Sequence, residues 1–338
     1  MRHPGEIAVQ RRAGVRPGDW GSARARAEIP AVAGDFLRAQ RMVVIGAADA
    51  SGRVWASALS GPAGFAAPDG DRTVVVRALP GRHDPLAVLS EGVPRPDRGA
   101  ARGPGTDAET APGPETAPGA DTGHGADTGH EIGMLAIEPA TRRRMRVNGR
   151  ARRHGDRLVV RTDQVYANCP KYIRVREISG EDAGPGHGPG PAVSRTDTLT
   201  AGQQEWIARA DTFFVATRAP GLGADVSHRG GGPGFVRVAG DRRLVWPDYP
   251  GNMMYMTLGN LELDERCGLL FLDWESGDAL HLTGRARVDW DPGDVPGAQR
   301  LVGFDVDEAV HVRGALPLRW AAGDRSRHNP PVAAAAGV

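Results

Sequence analysis

The sequence contains little that would mark a secreted, membrane-bound or nucleic-acid-binding protein. Only two of its 338 residues are cysteines, too few for a disulfide framework or a four-cysteine zinc site. No apolar run approaches the ~18 residues that span a bilayer, and residues 1–10 lack the apolar stretch of a secretory signal. Lysine and arginine together number 42 against 41 acidic residues, so charge does not predict nucleic acid as a partner. We therefore expect a soluble, cytoplasmic protein.

Lysine is almost absent, and aromatic residues make up only 5% of the chain. Lys171 is the single lysine among 42 basic residues. An ammonium is a compact point charge whereas a guanidinium is a planar fork, so the two are not interchangeable at a shaped site. The low aromatic content, together with 47 glycines and 27 prolines, predicts that part of this length is not packed.

Two segments have the composition of unpacked chain. Residues 93–131 are mainly Gly, Ala, Pro, Thr and Asp and contain the hexapeptide GADTGH twice in tandem, and residues 180–196 are similarly poor in large apolar side chains. Such segments bury too little surface to offset the entropy of ordering them. The predicted organisation is an N-terminal extension (1–30), a first unit (31–179) with a disordered insert (93–131), a linker (180–196), a second unit (197–320) and a disordered tail (321–338).

The two units are similar to each other in sequence. Residues 42–65 align without a gap to residues 212–235, at an offset of 170. Residues 132–153 align to residues 267–288 at an offset of 135, and the difference of 35 is about the size of the insert. Because the register is kept through two blocks and the insert explains the gap between them, the pattern favours an internal duplication.

Each unit has the pattern of a small β-barrel. Short β-branched runs bounded by Gly, Pro and Asp predict about six strands per unit. A short amphipathic helix precedes the first strand of each unit, with Phe36 in one helix opposite Trp206 in the other. These features predict a mainly β protein with one closed or half-open barrel per unit. Two such barrels would pack like a homodimer fused into one chain.

The second unit carries polar residues where the first does not. Residues 224–234 read ADVSHRGGGPG, and His228 and Arg229 align to Ala58 and Leu59. We interpret this segment as a glycine-rich turn between two strands, in which backbone amides and the Arg229 guanidinium bind a phosphate. A tight hairpin with a surface arginine would give the same pattern.

The segment 246–261, WPDYPGNMMYMTLGNL, is predicted to open as a turn and continue as a helix. Asn252, Thr257 and Asn260 could present amide and hydroxyl groups to a ligand. Its three methionines either line an aromatic ring or belong to the core.

The single lysine lies in a predicted turn, residues 166–173, YANCPKYI. Asn168 and Cys169 stand two or three residues before Lys171, so amide, thiol and ammonium groups are close together. No histidine is near Cys169 in sequence, and we interpret this cysteine as structural before catalytic. Cys267 begins a buried-looking strand and is assigned to the core.

A series of motifs across nearly the whole chain resembles one family. The motifs are HPGE (3–6), FLRAQ (36–40), NCPKYI (168–173), ADTFFVA (210–216), DVSHRGG (225–231), PDYPGN (247–252), TLGNL (257–261), LTGRA (282–286) and PLRW (317–320). In this order they resemble the flavin-nucleotide-binding proteins of the pyridoxamine 5′-phosphate oxidase-like, or FMN-binding split β-barrel, superfamily.

The resemblance implies two tandem split β-barrels related by duplication, with FMN bound between them. The implied cofactor-binding residues are Ser227, His228, Arg229, Gly230, Gly231, Tyr249, Asn252, Thr257 and Asn260 from the second barrel, with Asn168, Cys169 and Lys171 from the first. His228 and Lys171 are the implied catalytic residues, because positive charge near the isoalloxazine stabilises the reduced anionic flavin. His228 could also donate a proton. No metal ion is expected.

The implied function is that of an FMN-dependent oxidoreductase acting on a small molecule. Electrons would come from NAD(P)H or from a separate reductase, and the sequence is also compatible with a homodimer. Two alternatives remain open. The same fold could bind haem, with His228 as ligand, or the deazaflavin F420. Otherwise the chain could be a flavin-binding protein without catalytic activity.

Overall fold

The computed structural model describes residues 3–16, 25–91, 129–182 and 193–332. The α-helices are α1 (Pro4–Arg12), α2 (Ala31–Ala39), α3 (Ala201–Arg209) and α4 (Met256–Leu263). The strands are β1 (Met42–Ala48), β2 (Val54–Ser60), β3 (Ala66–Pro68), β4 (Thr73–Val76), β5 (His130–Glu138), β6 (Arg143–His154), β7 (Arg157–Ala167), β8 (Arg176–Glu181), β9 (Val193–Thr196), β10 (Thr212–Ala219), β11 (Gly223–Gly230), β12 (Arg237–Val238), β13 (Arg243–Asp248), β14 (Arg266–Leu272), β15 (Ala279–Asp289), β16 (Arg300–Val312) and β17 (Leu318–Ala322). Two 3-10 turns lie at Ala87–Ser90 and Pro139–Thr141.

The predicted helices before the first strand of each unit are present as α2 and α3. α3 begins with a capping box, in which the Thr200 hydroxyl accepts from the Gln203 amide and the Gln203 side chain accepts from the Thr200 amide. α2 buries Phe36 and Leu37 against the barrel. Among the helices in the described ranges, none has both the length and the apolar character needed to cross a bilayer.

The two units fold into antiparallel sheets with the same strand order. The first sheet runs β2-β1-β5-β6-β7-β4-β3, and the second runs β11-β10-β14-β15-β16-β13-β12 with β9 paired to β16. Numbered from the start of its own unit, each strand occupies the same place in both sheets. A tandem duplication would produce this arrangement, and the duplication itself stays a prediction.

The strands at the centre of each sheet bury both of their faces. Along β1, Val43 packs inside the first barrel, whereas Val44 joins a cluster to which both barrels contribute. Along β10, Phe213 packs inside the second barrel and Phe214 joins the same shared cluster. Because side chains alternate between the faces of a strand, these segments are continuously apolar in sequence. The molecule therefore has three apolar cores, one in each barrel and one between them.

Glycines bring the two barrels into backbone contact. A Cβ on Gly133 of β5 would lie 2.6 Å from the carbonyl carbon of Asp225, and one on Gly268 of β14 would lie 2.6 Å from the Cα of Trp55. Real Cβ atoms do not approach backbone this closely, so both positions require glycine. Gly133 and Gly268 are aligned positions of the two units, and each faces the opposite barrel.

Two predicted boundaries are corrected by strand pairing. β5 begins at His130, inside the predicted insert 93–131, because His130 and Glu131 pair with Ala151 and Arg150 of β6. The predicted linker 180–196 contains the end of β8 and the whole of β9. Residues 93–128 of the insert and 183–192 of the linker lie outside the described residues.

The predicted disordered tail, 321–338, is folded as far as residue 332. β17 pairs with β8 through residue 322, where Ala322 lies opposite Arg176. Ser326 is buried, and its hydroxyl accepts a hydrogen bond from the Tyr172 amide at 3.1 Å. No apolar run predicts this contact, because it is made by a serine and by backbone groups.

We expect Gly268→Ala to destabilise the protein by about 1–3 kcal/mol, because the added methyl overpacks a contact between two backbones. Gly202→Ala is the matched control, since a Cβ at Gly202 in α3 meets nothing within 4 Å. That change should instead stabilise by about 0.5 kcal/mol through helix propensity. Urea unfolding measures both free energies. Equal effects of the two substitutions would contradict the close contact between the barrels.

Candidate functional site

Two adjoining cavities lie where β6 of the first barrel meets β11 of the second. The smaller one, here called the cleft, has a volume of about 80 Å³ and is lined by Arg144, Arg146, Lys171, Tyr172, His228, Arg229, Asp248 and their neighbours. The larger one, the large cavity, has a volume of about 890 Å³ and extends toward α2. Arg144, Asn168, Cys169 and Asn252 line both. Both barrels therefore contribute to one continuous site.

The structure brings most of the predicted site residues together. The cleft is lined by Asn168, Cys169, Lys171, His228, Arg229, Gly230, Tyr249 and Asn252. Ser227, Gly231, Thr257 and Asn260 do not line either cavity. The predicted glycine turn is corrected: residues 227–230 belong to β11, where His228 lies opposite Phe214 of β10, and the turn begins only at Gly231.

His228 is held in its neutral form by an arginine. The Arg144 Nη1 lies 2.9 Å from the His228 Nδ1, and a guanidinium can only donate, so Nδ1 accepts and the imidazole proton resides on Nε2. Burial, followed by the positive charges of Arg144, Arg176 and Arg229, lowers the pKa of His228 well below 6.5. This corrects the expectation that His228 supplies positive charge or an imidazolium proton. The charge at this point belongs to the arginines.

The cleft holds more positive charge than its carboxylates neutralise. Arg229 lies 3.7 Å from Asp248, which also faces Arg300 at 3.4 Å, and the Arg229 Nε is buried without a hydrogen-bond partner. Within the described ranges no carboxylate pairs with Arg144. Burial, followed by repulsion from Arg146 and Arg229, lowers the pKa of Arg144 to about 9. An anion bound in the cleft would relieve this repulsion.

The turn that carries Lys171 is fixed against the second barrel. The Tyr172 hydroxyl donates to the Pro250 carbonyl at 2.9 Å, and the Tyr172 ring lies 5.3 Å from that of Tyr249. A Cβ on Gly230 would lie 2.1 Å from the Tyr172 carbonyl oxygen, so only glycine fits there. These contacts hold Lys171 at the wall of the cleft.

A buried polar cluster behind the cleft orients Arg146. The Arg146 Nη1 is 3.0 Å from Asp225 and donates to the Tyr166 hydroxyl at 3.1 Å, while Nη2 donates to Ser227. Thr257 donates to Asp225 at 3.1 Å and lies 2.9 Å from the Ser227 hydroxyl. Ser227 and Thr257 therefore support a cation of the cleft and do not line the cavity themselves. Several hydrogen bonds support the buried ion pair, and the Arg146 Nε is buried without a hydrogen-bond partner.

The N-terminal helix α1 closes this cluster from behind. A Cβ on Gly5 would lie 1.9 Å from the Gly259 carbonyl oxygen, so α1 and α4 pack in backbone contact. His3 caps α1 by accepting from the Glu6 amide at 3.2 Å. Burial, followed by the charge of Asp225, raises the pKa of Glu6 to about 7. The HPGE motif thus provides the residue that caps α1, the glycine that contacts α4 and a buried carboxyl group.

Asn260 also lies behind the cleft, on α4. Its Nδ2 donates to the Thr217 hydroxyl of β10 at 3.0 Å, and it is buried. This hydrogen bond holds α4 onto the sheet. Asn260 lines neither cavity, so the structure gives no support to its predicted role in binding a ligand.

Arg144 and Arg146 were missed by the analysis of sequence motifs. They stand in the run 142–146, RRRMR, where four of five residues are arginine. That density at the start of a predicted strand was a usable signal, but the bias toward arginine throughout the chain obscured it. The aligned residues of the second unit are Ala279 and His281. This difference between the units distinguishes Arg144 and Arg146 from the many other arginines of the chain.

No group of three or more His, Cys, Asp and Glu side chains in the described part of the chain is arranged to hold a metal ion.

Cys267 is fully buried in the second barrel, as predicted for a core residue. Burial raises the pKa of its thiol. Cys169 is partly exposed in the wall shared by the two cavities.

We expect Glu6→Gln to change how stability depends on pH. The folded protein holds the Glu6 proton up to about pH 7, whereas a glutamate in the unfolded chain loses it near 4.5. The folded state therefore binds more protons in this window, and wild-type stability falls as pH rises through it. The glutamine variant lacks this loss and should gain up to about 3 kcal/mol relative to wild type between pH 5 and 8.

Urea unfolding at several pH values measures the effect of Glu6→Gln. Glu205→Gln is the control, because Glu205 lies on α3 with 67% of its side chain exposed. That control should follow the wild-type profile within about 0.5 kcal/mol. Parallel profiles for wild type and Glu6→Gln would show that the carboxyl ionises as it does in water.

Comparison with known proteins gives structural similarity only. No family model and no curated protein sequence matches the chain. The chain is similar to the H111A form of HupZ from Group A Streptococcus (14% identity, 33% of this chain and 98% of that chain, TM-score 0.27). It is also similar to a candidate pyridoxamine 5′-phosphate oxidase from Lactobacillus delbrueckii (17%, 34% and 94%, 0.28) and to the FAD-binding protein of Mycobacterium smegmatis (14%, 36% and 98%, 0.24).

These three structures match the chain with TM-scores of 0.24 to 0.28. Each covers about a third of this chain. The fold assignment itself follows from the strand order of the two sheets. The chain is a mainly β protein that contains two split β-barrels in tandem.

Proposed function

We propose that the chain is an FMN-dependent oxidoreductase in which the cleft binds the flavin phosphate and the large cavity receives the ring system. The observation that carries this proposal is the positive charge of Arg144 and Arg229 beside a cavity of about 890 Å³. Cofactor pockets are commonly of this size, apolar in most of their lining and polar at a few points.

The cleft has the chemistry that a phosphate needs. Arg229 has a buried Nε without a partner, and Arg144 and Lys171 add two further cations to the same walls. A guanidinium binds phosphate oxygens with a planar pair of donors. A doubly charged anion would also offset the repulsion that lowers the pKa of Arg144.

The large cavity has the chemistry that a flat heteroaromatic ring needs. Phe36, Met145 and Val165 give it apolar walls, and Asn168 and Asn252 add amides where it meets the cleft. The Asn168 Oδ1 is buried without a hydrogen-bond partner. It is therefore available to accept from a ring N–H, which the apolar walls could not do.

A bound flavin would supply the hydride or electron transfer, and the protein would supply binding, orientation and electrostatics. Arg144, Arg229 and Lys171 hold positive charge beside the site, which favours an anionic form of the cofactor. The apolar walls exclude water from the ring. We propose NAD(P)H or a separate reductase as the electron donor, a small molecule as the substrate and the cytoplasm as the location.

We expect the purified chain to show the two-band spectrum of a flavin and to release FMN on heating. Arg229→Gln and Arg144→Gln should each weaken FMN binding by about 10- to 100-fold, because each removes charge-assisted hydrogen bonds to the phosphate. Riboflavin, which lacks the phosphate, should be affected less than about threefold. Fluorescence titration gives both dissociation constants, and FAD is titrated alongside.

Arg209→Gln is the control for these titrations, because Arg209 lies on the surface of α3, away from both cavities. Thermal unfolding of each variant checks that it is folded. Equal losses of FMN and riboflavin would place the phosphate elsewhere. A Soret band in the purified protein would move the assignment to haem.

We expect NADH or NADPH, mixed anaerobically with the FMN-loaded chain, to bleach the flavin spectrum in a single turnover. Hydride transfer to the flavin requires the nicotinamide to reach the ring, and the large cavity is open on the side of α2. Stopped-flow absorbance measures the rate, with free FMN at the same concentration as the control. If the bound flavin is reduced no faster than free FMN, the chain either takes electrons from a separate reductase or is a flavin-binding protein without catalytic activity.

A further inference from the structure

The outer part of the large cavity carries two arginines that the proposed flavin site does not use. Arg26 and Arg143 line the cavity and are exposed. Arg142 and Arg144 line it too, but their guanidinium groups already donate to protein. Arg142 donates to the carbonyls of Ile173, Asp324 and Arg325, and Arg144 donates to the Cys169 carbonyl and to His228.

Arg26 and Arg143 have no carboxylate partner within the described ranges of the chain. No aspartate or glutamate in those ranges lines the large cavity either. Several arginines elsewhere on the described surface pair with a carboxylate, as Arg38 does with Asp35 and Arg209 does with Glu205. The large cavity therefore has a cationic entrance whose charge the protein leaves uncompensated.

The entrance is held in place and is apolar between its charges. The Arg143 guanidinium lies over the Phe36 ring, 4.8 Å from its centroid, a contact that restrains a side chain otherwise free to move. The backbone of Arg26 pairs with Val165 of β7. Val32 of α2, 67% exposed, adds apolar surface at the same edge. A ligand here meets the exposed Val32 side chain and two guanidinium groups, one of which rests on the buried Phe36 ring.

We propose that this entrance, formed by Arg26, Val32, Phe36 and Arg143, binds a planar organic anion such as an aromatic carboxylate, and that such an anion is the substrate class of the site. The second part of this statement rests on the proposed flavin function, whereas the binding itself does not. A carboxylate would accept from the two guanidinium groups, and its ring would lie against Val32 and the planar Arg143 guanidinium that covers Phe36. A neutral molecule of the same shape would gain only the apolar contact.

A pair of ligands that differ only in charge tests the proposal. 2-Naphthoate and 2-naphthamide are titrated by fluorescence into the full chain, once as the FMN-free protein and once loaded with FMN. We expect naphthoate to bind at least about tenfold more tightly than the amide. Arg143→Gln and Arg26→Gln should each reduce this preference severalfold, and the double variant should abolish it. Arg209→Gln, on the surface of α3, is the matched control and should leave it unchanged.

The proposal is overturned if the amide binds as tightly as the carboxylate, or if the preference survives in the double variant. A loss of preference in Arg209→Gln equal to that in Arg143→Gln would overturn it as well, since the effect would then reflect overall charge. Failure of FMN to bind is read separately from the flavin absorbance. In that case a charge preference in the FMN-free chain would still support the anion site, while the flavin function would be withdrawn.

Discussion

The backbone contact between the two barrels is the constraint on which the site depends. At Gly133 and Gly268 the strands of one barrel touch the backbone of the other, with no room for a Cβ. This contact sets the distance between β5 and β11, and therefore between β6 and β11. The ion pair of Arg146 with Asp225 crosses the same boundary at 3.0 Å. A small separation of the barrels would leave both charges buried without a partner, which is costly in a low dielectric.

The two units meet along two equivalent edges, and the arginines of the cleft have no counterparts at the second edge. Opposite Arg144, Arg146, His228 and Arg229 in the alignment stand Ala279, His281, Ala58 and Leu59. At that second edge the His281 Nδ1 lies 2.9 Å from the Ala56 carbonyl, and burial lowers the pKa of His281. A neutral imidazole there makes a hydrogen bond that closes the two barrels together. The edge with the cleft can hold an anion, whereas the aligned residues at the second edge pack between the barrels.

Sequence patterns predicted the parts of this fold that local chemistry decides. Continuous apolar runs predicted β1, β10 and β14, since strands buried on both faces leave no polar positions. β16, thirteen residues long, was not predicted, although Val302, Phe304 and Val306 alternate with polar positions as in a strand buried on one face. β11 was not predicted as a strand, because Ser227, His228 and Arg229 are polar. In this buried strand Ser227 and His228 find partners in the other barrel, whereas Arg229 lies 3.7 Å from Asp248 of its own barrel.

Sequence patterns likewise predicted only some residues of the candidate site. The following predicted residues line the cleft: Asn168, Cys169, Lys171, His228, Arg229, Gly230, Tyr249 and Asn252. The assignments that depended on side-chain direction were less successful. Ser227 and Thr257 contact the polar cluster around Arg146 and do not line the cavity. The packing of α1 behind this cluster was not predicted, because more than two hundred residues separate Glu6 from Asp225 in the sequence. Contacts across that separation depend on how the two barrels dock, which no local pattern encodes.

The positive charge of the cleft links cofactor binding to stability. Burial and mutual repulsion lower the pKa values of Arg144 and Arg229, so the protein without an anion keeps these charges against an electrostatic cost. An anion that binds the folded state alone removes that cost and stabilises the fold by mass action. His228 contributes by staying neutral, since an imidazolium beside three arginines would raise the repulsion further. In this arrangement the guanidinium groups proposed to bind a phosphate carry an electrostatic cost that a bound anion would remove.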